Sequence, residues 1–162
     1  MFQAEISDFE LLAGIRFGYL HPYKVAGMGE PWRQHIQRTL ELLRKEGIGA
    51  VLTLTEDDPF GRDYLEADFW HRHIPVDDGE PPSPQAMNQA VDFIQSALAE
   101  DLPVAVHCLE GRGRTGVILC GWLARVEALA PDAAIRRVRD LRYHTVFSPS
   151  QRAFLEAHLV RP

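Results

Sequence analysis

Residues 104–116 read Val104-Ala105-Val106-His107-Cys108-Leu109-Glu110-Gly111-Arg112-Gly113-Arg114-Thr115-Gly116. The first four are mostly apolar, rich in valine and preceded by Pro103, which predicts a buried strand. Gly111 and Gly113 indicate a tight loop, and the chain is predicted to become helical from Thr115. This order gathers backbone N–H groups and the positive end of a helix dipole around one point. The stretch therefore predicts an anion-binding loop, in which the field favours a thiolate at Cys108.

The glycine spacing Gly111-x-Gly113-x-x-Gly116 also matches the dinucleotide-binding fingerprint. That fingerprint belongs to the first strand–helix unit of a domain and is followed about 20 residues later by an acidic residue that ends a strand. Here the loop lies well past the middle of the chain, and residues 135–139 have a helical pattern. The cofactor interpretation also leaves Cys108 and Arg114 without a task. We therefore expect no nucleotide cofactor.

The pattern His107-Cys108-x-x-Gly111-x-x-Arg114-Thr115-Gly116 resembles the signature loop of the cysteine-dependent protein-tyrosine phosphatase superfamily. The chain looks most like the small dual-specificity-like branch. The resemblance implies a Cys108 nucleophile, an Arg114 guanidinium that clamps phosphate oxygens in a bidentate manner, and supporting roles for His107 and Thr115. It implies neither a metal nor a cofactor. The expected phosphate-binding residues are Leu109, Glu110, Gly111, Arg112, Gly113 and Arg114.

A general acid is expected on the loop at residues 75–84, which is rich in proline and acidic residues. The loop resembles the general-acid loop of the small dual-specificity-like phosphatases, and counting back from Pro82-Ser83 selects Asp78. Counting from the Asp-x-Gly-x-Pro pattern of the larger tyrosine phosphatases selects Asp77 instead. We favour Asp78, and the alternative that these acids only solvate the loop is the default for an acidic run.

Gln151 lies in a segment, Ser148-Pro149-Ser150-Gln151, that resembles the place where relatives hold the hydrolytic water. The same residues form a capping box, because Ser148 and Gln151 stand three positions apart at a helix start. Both interpretations remain open. His71-x-His73 resembles a pair of metal ligands, but no third ligand follows at a sensible spacing, so a structural role is favoured.

Composition limits the class of protein. The chain of 162 residues is expected to form one domain, residues 1–162, and its net charge of −6 argues against a nucleic-acid partner. Cys108 and Cys120 are expected to lie too far apart for a disulfide, with Cys120 in the core. Residues 1–5 show no leader pattern and no apolar run is long enough to span a bilayer. We expect a cytoplasmic protein, since that reducing compartment suits a reactive thiolate.

Alternating helices and strands predict an α/β fold with a largely parallel central sheet and helices on both faces. Residues 1–28 are predicted to form short strands and turns, and a helix is predicted from Pro31 to Gly47. Val126 and Leu141 are assigned to buried helix faces, and four arginines to a solvated face: Arg136, Arg137, Arg139 and Arg142. Further strands are predicted at 15–20, 24–27, 50–54 and 69–74, and further helices from residue 84, at 131–142 and at 148–159.

The resemblance implies hydrolysis of phosphate monoesters through a cysteinyl-phosphate, with phosphotyrosine on proteins as the first expected substrate and phosphoserine or phosphothreonine beside it. Arg112 could meet a second phosphate, so a phosphoinositide or another small phosphorylated molecule is an alternative substrate. An alternative of another class is a catalytically idle module that binds phosphopeptides. The sequence leaves the oligomeric state open.

Overall fold

A computed structural model describes residues 5–159. The predictions for residues 1–4 and 160–162 lie outside the described residues. The same holds for the prediction that these residues belong to the single domain. The helices are α1 (Asp8–Gly14), α2 (Ile36–Lys45), α3 (Gly61–Glu66), α4 (Pro84–Ala99), α5 (Gly113–Glu127), α6 (Pro131–Leu141) and α7 (Pro149–His158). The strands are β1 (Gly18–Tyr19), β2 (Val25–Met28), β3 (Ala50–Thr53), β4 (Trp70–His73) and β5 (Val104–His107).

The five strands form one sheet in the order β1-β2-β5-β3-β4. Only β1 pairs in the antiparallel direction, with β2, and the remaining pairs are parallel. β5 lies in the middle, with Val104 beside both Val25 and Ala50. A central parallel strand is covered on both faces, which is why it reads as an unbroken apolar run. The predicted fold class is confirmed.

Helices cover both faces of the sheet, and each face has its own apolar core. Helices α4, α5, α6 and α7 pack on one face, against Leu52, Val104 and Val106. Helices α2 and α3 pack on the other, against Val51 and Ala105. Consecutive strand residues point to opposite faces, so β3 and β5 supply side chains to both cores. The carboxyl ends of β2, β5 and β3 meet at one edge, where ligands bind in sheets of this kind.

The prediction for residues 1–28 was wrong at Asp8–Gly14, which forms α1. A capping box begins this helix: the Ser7 hydroxyl accepts from the amide of Glu10, and the Glu10 carboxylate accepts from the amide of Ser7. The strand predicted at 15–20 is reduced to the two residues of β1.

Other boundaries and faces also differ from the prediction. The helix predicted from Pro31 begins as a 3₁₀ turn at Arg33–His35 and becomes α-helical only at Ile36. Helix α5 begins at Gly113, two residues before Thr115. Val126 and Leu141, both assigned to buried faces, are exposed, because each lies at a helix end beyond the packed core. Among residues 5–159, no helix combines the length and the apolarity needed to cross a bilayer.

Candidate active site

The anion-binding loop joins the carboxyl end of β5 to the start of α5. Cys108, the first residue after the strand, is 3% exposed and lines a cavity of about 340 Å³. The Thr115 hydroxyl, from the first turn of α5, donates to the Cys108 sulfur over 3.1 Å. The N-terminus of α5 thus lies beside the thiol, and both the hydroxyl and the helix dipole favour negative charge on it.

The loop residues divide into two groups. Leu109, Glu110, Arg112, Gly113 and Arg114 line the cavity together with Cys108. Gly111 does not line it. Gly111 has a φ of 71°, and a Cβ there would lie 2.4 Å from the carbonyl carbon of Met28. The turn therefore requires glycine at this position, both for its backbone angle and for its close approach to β2.

Arg114 is almost completely buried, and three groups hold its guanidinium. Nη1 donates to Glu56 Oε1 over 2.5 Å and to the carbonyl oxygen of Val76 over 2.8 Å. Nη2 lies 3.2 Å from Asp78 Oδ1. These contacts come from the loops that follow β3 and β4, so the sheet topology brings them to the carboxyl end of β5.

Asp78 and Asp77 lie in different surroundings. Both side chains are exposed, but Asp78 lines the cavity and pairs with Arg114, whereas Asp77 is not among the lining residues. The loop makes a turn at Gly79, whose φ of 76° is in the left-handed region. A carboxyl group at position 78 can therefore reach an atom in the cavity, which is the first requirement for a general acid.

The N-terminus of α7 contacts the acidic loop. The Ser148 hydroxyl donates to the carbonyl oxygen of Gly79 over 2.6 Å, and the Ser150 hydroxyl lies 3.3 Å from the same oxygen. Gln151 lines the cavity, is buried, and completes a capping box, since its Oε1 accepts from the amide of Ser148. Its Nε2 donates to the carbonyl oxygen of Glu80 over 3.4 Å. The predicted capping role of Gln151 is confirmed. Its position in the cavity is also compatible with the interpretation that it holds the hydrolytic water.

His107 lies beneath the loop in a buried polar network. Its Nδ1 is 3.2 Å from the carbonyl oxygen of Cys108, and its Nε2 is 2.8 Å from the Thr53 hydroxyl and 3.2 Å from the Tyr64 hydroxyl. A carbonyl can only accept, so Nδ1 carries the proton and Nε2 accepts. Burial lowers the pKa of His107 to about 4. The imidazole is therefore neutral near pH 7. Its hydrogen bonds connect β3 to the start of the anion-binding loop.

The other titratable residues singled out in the sequence are not among those that line the cavity. His71 contacts the Thr53 hydroxyl, and His73 contacts the carbonyl oxygen of Thr55. Within residues 5–159, no group of three or more histidine, cysteine or acidic residues is arranged to hold a metal ion. Cys120 is buried in the core as expected, and burial raises the pKa of its thiol to about 12.

Two residues of the site were not identified from the sequence. Glu56 was assigned to the correct edge of the sheet, but its pairing with Arg114 was not predicted. Arg142 was assigned to a solvated helix face, and that assignment was wrong. Its guanidinium is 2% exposed and donates to the carbonyl oxygen of Gly111 in the anion-binding loop. A basic residue after an apolar helix stripe usually faces solvent, so nothing in the local sequence indicates this burial.

A cysteine at the carboxyl end of a central parallel strand, an arginine six residues later and a facing carboxylate define the class: a cysteine-based protein with the tyrosine-phosphatase fold. The family model described as the polymorphic toxin system DSP-PTPase phosphatase matches residues 26–128, more than half of the chain. The chain belongs to this family, within the dual-specificity-like branch of the protein-tyrosine phosphatase superfamily.

Curated relatives agree with this placement. The chain is 34% identical over 133 residues to the phosphatidylglycerophosphate phosphatase PTPMT2 of Arabidopsis thaliana, a match that covers 78% of this chain and 55% of that protein. It is 30% identical over 104 residues to a tyrosine-protein phosphatase of Autographa californica nuclear polyhedrosis virus, covering 61% of each. The chain thus spans less than two thirds of the length of either relative.

A solved structure shows the same fold. Tk-PTP in its active form superposes with a TM-score of 0.76 at 24% identity, covering 88% of this chain and 97% of that one.

Proposed function

We propose that this chain hydrolyses phosphate monoesters, with phosphotyrosine on proteins as its first substrate and phosphoserine and phosphothreonine as further ones. The observation that carries the proposal is that Cys108, Arg114 and Asp78 line one cavity although they come from two different loops. A nucleophile, an anion clamp and a proton donor within reach of one another are what transfer of a phosphoryl group to sulfur requires.

In the first step the Cys108 thiolate attacks phosphorus in line with the leaving oxygen. The sulfur–phosphorus bond forms, the phosphorus–oxygen bond to the substrate breaks, and the proton of Asp78 passes to the departing oxygen. Arg114 and the loop amides stabilise the three equatorial oxygens, and this electrostatic contribution is expected to be the largest. Glu56 holds the Arg114 guanidinium in place through Nη1.

In the second step water attacks the cysteinyl-phosphate. Asp78, now a carboxylate, takes a proton from the water, the sulfur–phosphorus bond breaks, and inorganic phosphate forms. The Thr115 hydroxyl, 3.1 Å from Cys108 Sγ, stabilises the departing thiolate. We assign Gln151 to holding the water, and the support for this assignment is that it lines the same cavity as Asp78.

A phosphoinositide or another small phosphorylated molecule is the second candidate substrate. Arg112 lines the cavity, and its Nε donates to the carbonyl oxygen of His144, which leaves the rest of a half-exposed guanidinium for a second anionic group. The similarity to a phosphatidylglycerophosphate phosphatase supports this candidate. Glu110, whose carboxylate lies 3.9 Å from Arg112, disfavours a heavily charged headgroup. We therefore rank it below phosphotyrosine.

The decisive experiment is hydrolysis of an aryl phosphate by the wild-type chain and by Cys108→Ser, each with and without a chelator. We expect the wild type to turn over in both conditions and the variant to lose at least about a thousandfold, because serine is a much weaker nucleophile at neutral pH. Activity retained by Cys108→Ser would contradict the mechanism. A wild type that binds phosphopeptide without hydrolysing aryl phosphate would instead support the idle binding module.

A panel of phosphotyrosyl, phosphoseryl and phosphothreonyl peptides and phosphoinositides then ranks the substrates.

We place this activity in the cytoplasm, because a thiolate nucleophile is preserved in a reducing compartment.

A further inference from the structure

Arg142 follows α6 and is only 2% exposed, although its side chain is long and charged. Its donors reach three backbone carbonyls: Nη1 donates to Gly27 over 2.9 Å and to Gly18 over 3.2 Å, and Nη2 donates to Gly111 over 3.1 Å. The guanidinium lies against β2, where a Cβ on Gly27 would be 2.8 Å from its Cζ. Arg142 thus connects the sheet edge to the anion-binding loop.

Three consecutive carbonyls of that loop are held from outside. Leu109 accepts from the amide of Glu30 over 2.9 Å, Glu110 from Arg16 Nη1 over 3.3 Å, and Gly111 from Arg142. In a planar trans peptide the carbonyl and the following amide point in opposite directions. The amides of residues 110–112 therefore point away from these donors, toward the concave side of the loop.

The charge of Arg142 lacks the usual partner. No carboxylate of residues 5–159 lies within ion-pair distance of it, and its Nε has no hydrogen-bond partner there. Burial lowers the pKa of Arg142 to about 10, while the nearby Cys108 acts in the opposite direction. The side chain remains a cation at neutral pH. A buried charge without a counterion is costly, and an anion bound in the loop would offset part of that cost.

We infer that Arg142 is a positioning residue for the bound anion. It holds the Gly111 carbonyl outward, so that the amide of Arg112 faces the phosphate. Its positive charge also stabilises the anion in the loop. This inference rests on the proposed function only for the identity of the reaction. The effect of Arg142 on anion binding is inferred from the geometry of the loop and does not depend on the reaction.

The test compares Arg142→Lys and Arg142→Gln with Arg136→Gln, which removes the same charge from the exposed face of the same helix. Two quantities are measured: the dissociation constant of inorganic phosphate, and kcat and KM for an aryl phosphate. We expect Arg142→Lys to weaken phosphate binding about tenfold, because an ammonium cannot donate to three separated carbonyls, and Arg142→Gln to weaken it more. Arg136→Gln should match the wild type.

Gly27→Ala is a second variant in case the Arg142 variants fail to fold. Its added Cβ displaces the guanidinium while the positive charge is kept, and we expect several-fold weaker phosphate binding. A folded Arg142→Lys, or Gly27→Ala, that binds phosphate as tightly as Arg136→Gln would overturn the inference. A wild type that binds phosphate but hydrolyses no ester would contradict the proposed function. The phosphate dissociation constants of the wild type and the variants would still decide the role of Arg142.

Discussion

Cys108 and Arg114 lie on one loop, yet each depends on side chains from distant parts of the chain. Arg114 is oriented by its hydrogen bond to Glu56. Cys108 follows His107, whose ring is held by a hydrogen bond to Thr53 of the neighbouring strand β3. A guanidinium held in this way is already in the geometry that binds phosphate, so less freedom is lost when substrate arrives. Preorganisation of single residues therefore comes from contacts that the loop sequence does not contain.

Asp78→Ala should slow hydrolysis of alkyl phosphates by about 10²–10⁴-fold and affect an aryl phosphate with a good leaving group much less, because only a poor leaving group needs the proton. Substrate binding should persist. The measurement is kcat for a series of esters of graded leaving-group pKa. Asp77→Ala is the matched control, since it removes an adjacent exposed carboxylate from the same loop. A steeper leaving-group dependence in Asp77→Ala than in Asp78→Ala would move the general acid to Asp77.

At the scale of elements, the acidic loop is held by the N-terminus of α7. Ser148 caps that helix and also donates to Gly79, so one hydroxyl both begins α7 and fixes the loop that carries Asp78. The capping box predicted from the sequence is thus also the link between two parts of the site.

Removing that hydroxyl should reduce general-acid catalysis. We expect Ser148→Ala to lower kcat for poor leaving groups several-fold more than for good ones, whereas Ser148→Thr, which keeps a hydroxyl, should keep the wild-type kcat for both. Ser7→Ala is the control, because it removes the cap of the other capping box, on α1, at a similar cost of about 1 kcal/mol in stability. If Ser7→Ala and Ser148→Ala show the same leaving-group profile, Ser148 only stabilises the fold.

For the whole molecule, burial of a neutral histidine beneath the site links stability to pH. The pKa of His107 is about 4 in the folded chain and near 6.5 when the side chain is solvated. Between these values the unfolded chain binds the proton and the folded chain does not. Stability is therefore unaffected by this group above about pH 6.5 and decreases as the pH falls toward 4.

We expect His107 to account for roughly 3 kcal/mol of that decrease, because burial lowers its pKa from 6.5 to about 4. The measurement is the free energy of urea unfolding between pH 4 and pH 7.5 for the wild type and for His107→Gln, which cannot titrate. The variant should be less stable at pH 7.5 but show a shallower decrease. An equally steep decrease in His107→Gln would contradict the assignment.

Sequence patterns alone predict the strand at residues 104–107, the loop and the helix that follow it, the α/β class, and Cys108, Arg114 and an acidic loop as candidate groups. These follow from local patterns: apolar runs, glycines and caps act over a few residues. Three further outcomes emerge only from the fold: Asp78 rather than Asp77 lines the cavity, Glu56 holds Arg114, and Arg142 is buried. Those outcomes depend on which strand ends meet and on where a helix end packs, and such contacts between distant segments leave no signature in the neighbouring residues.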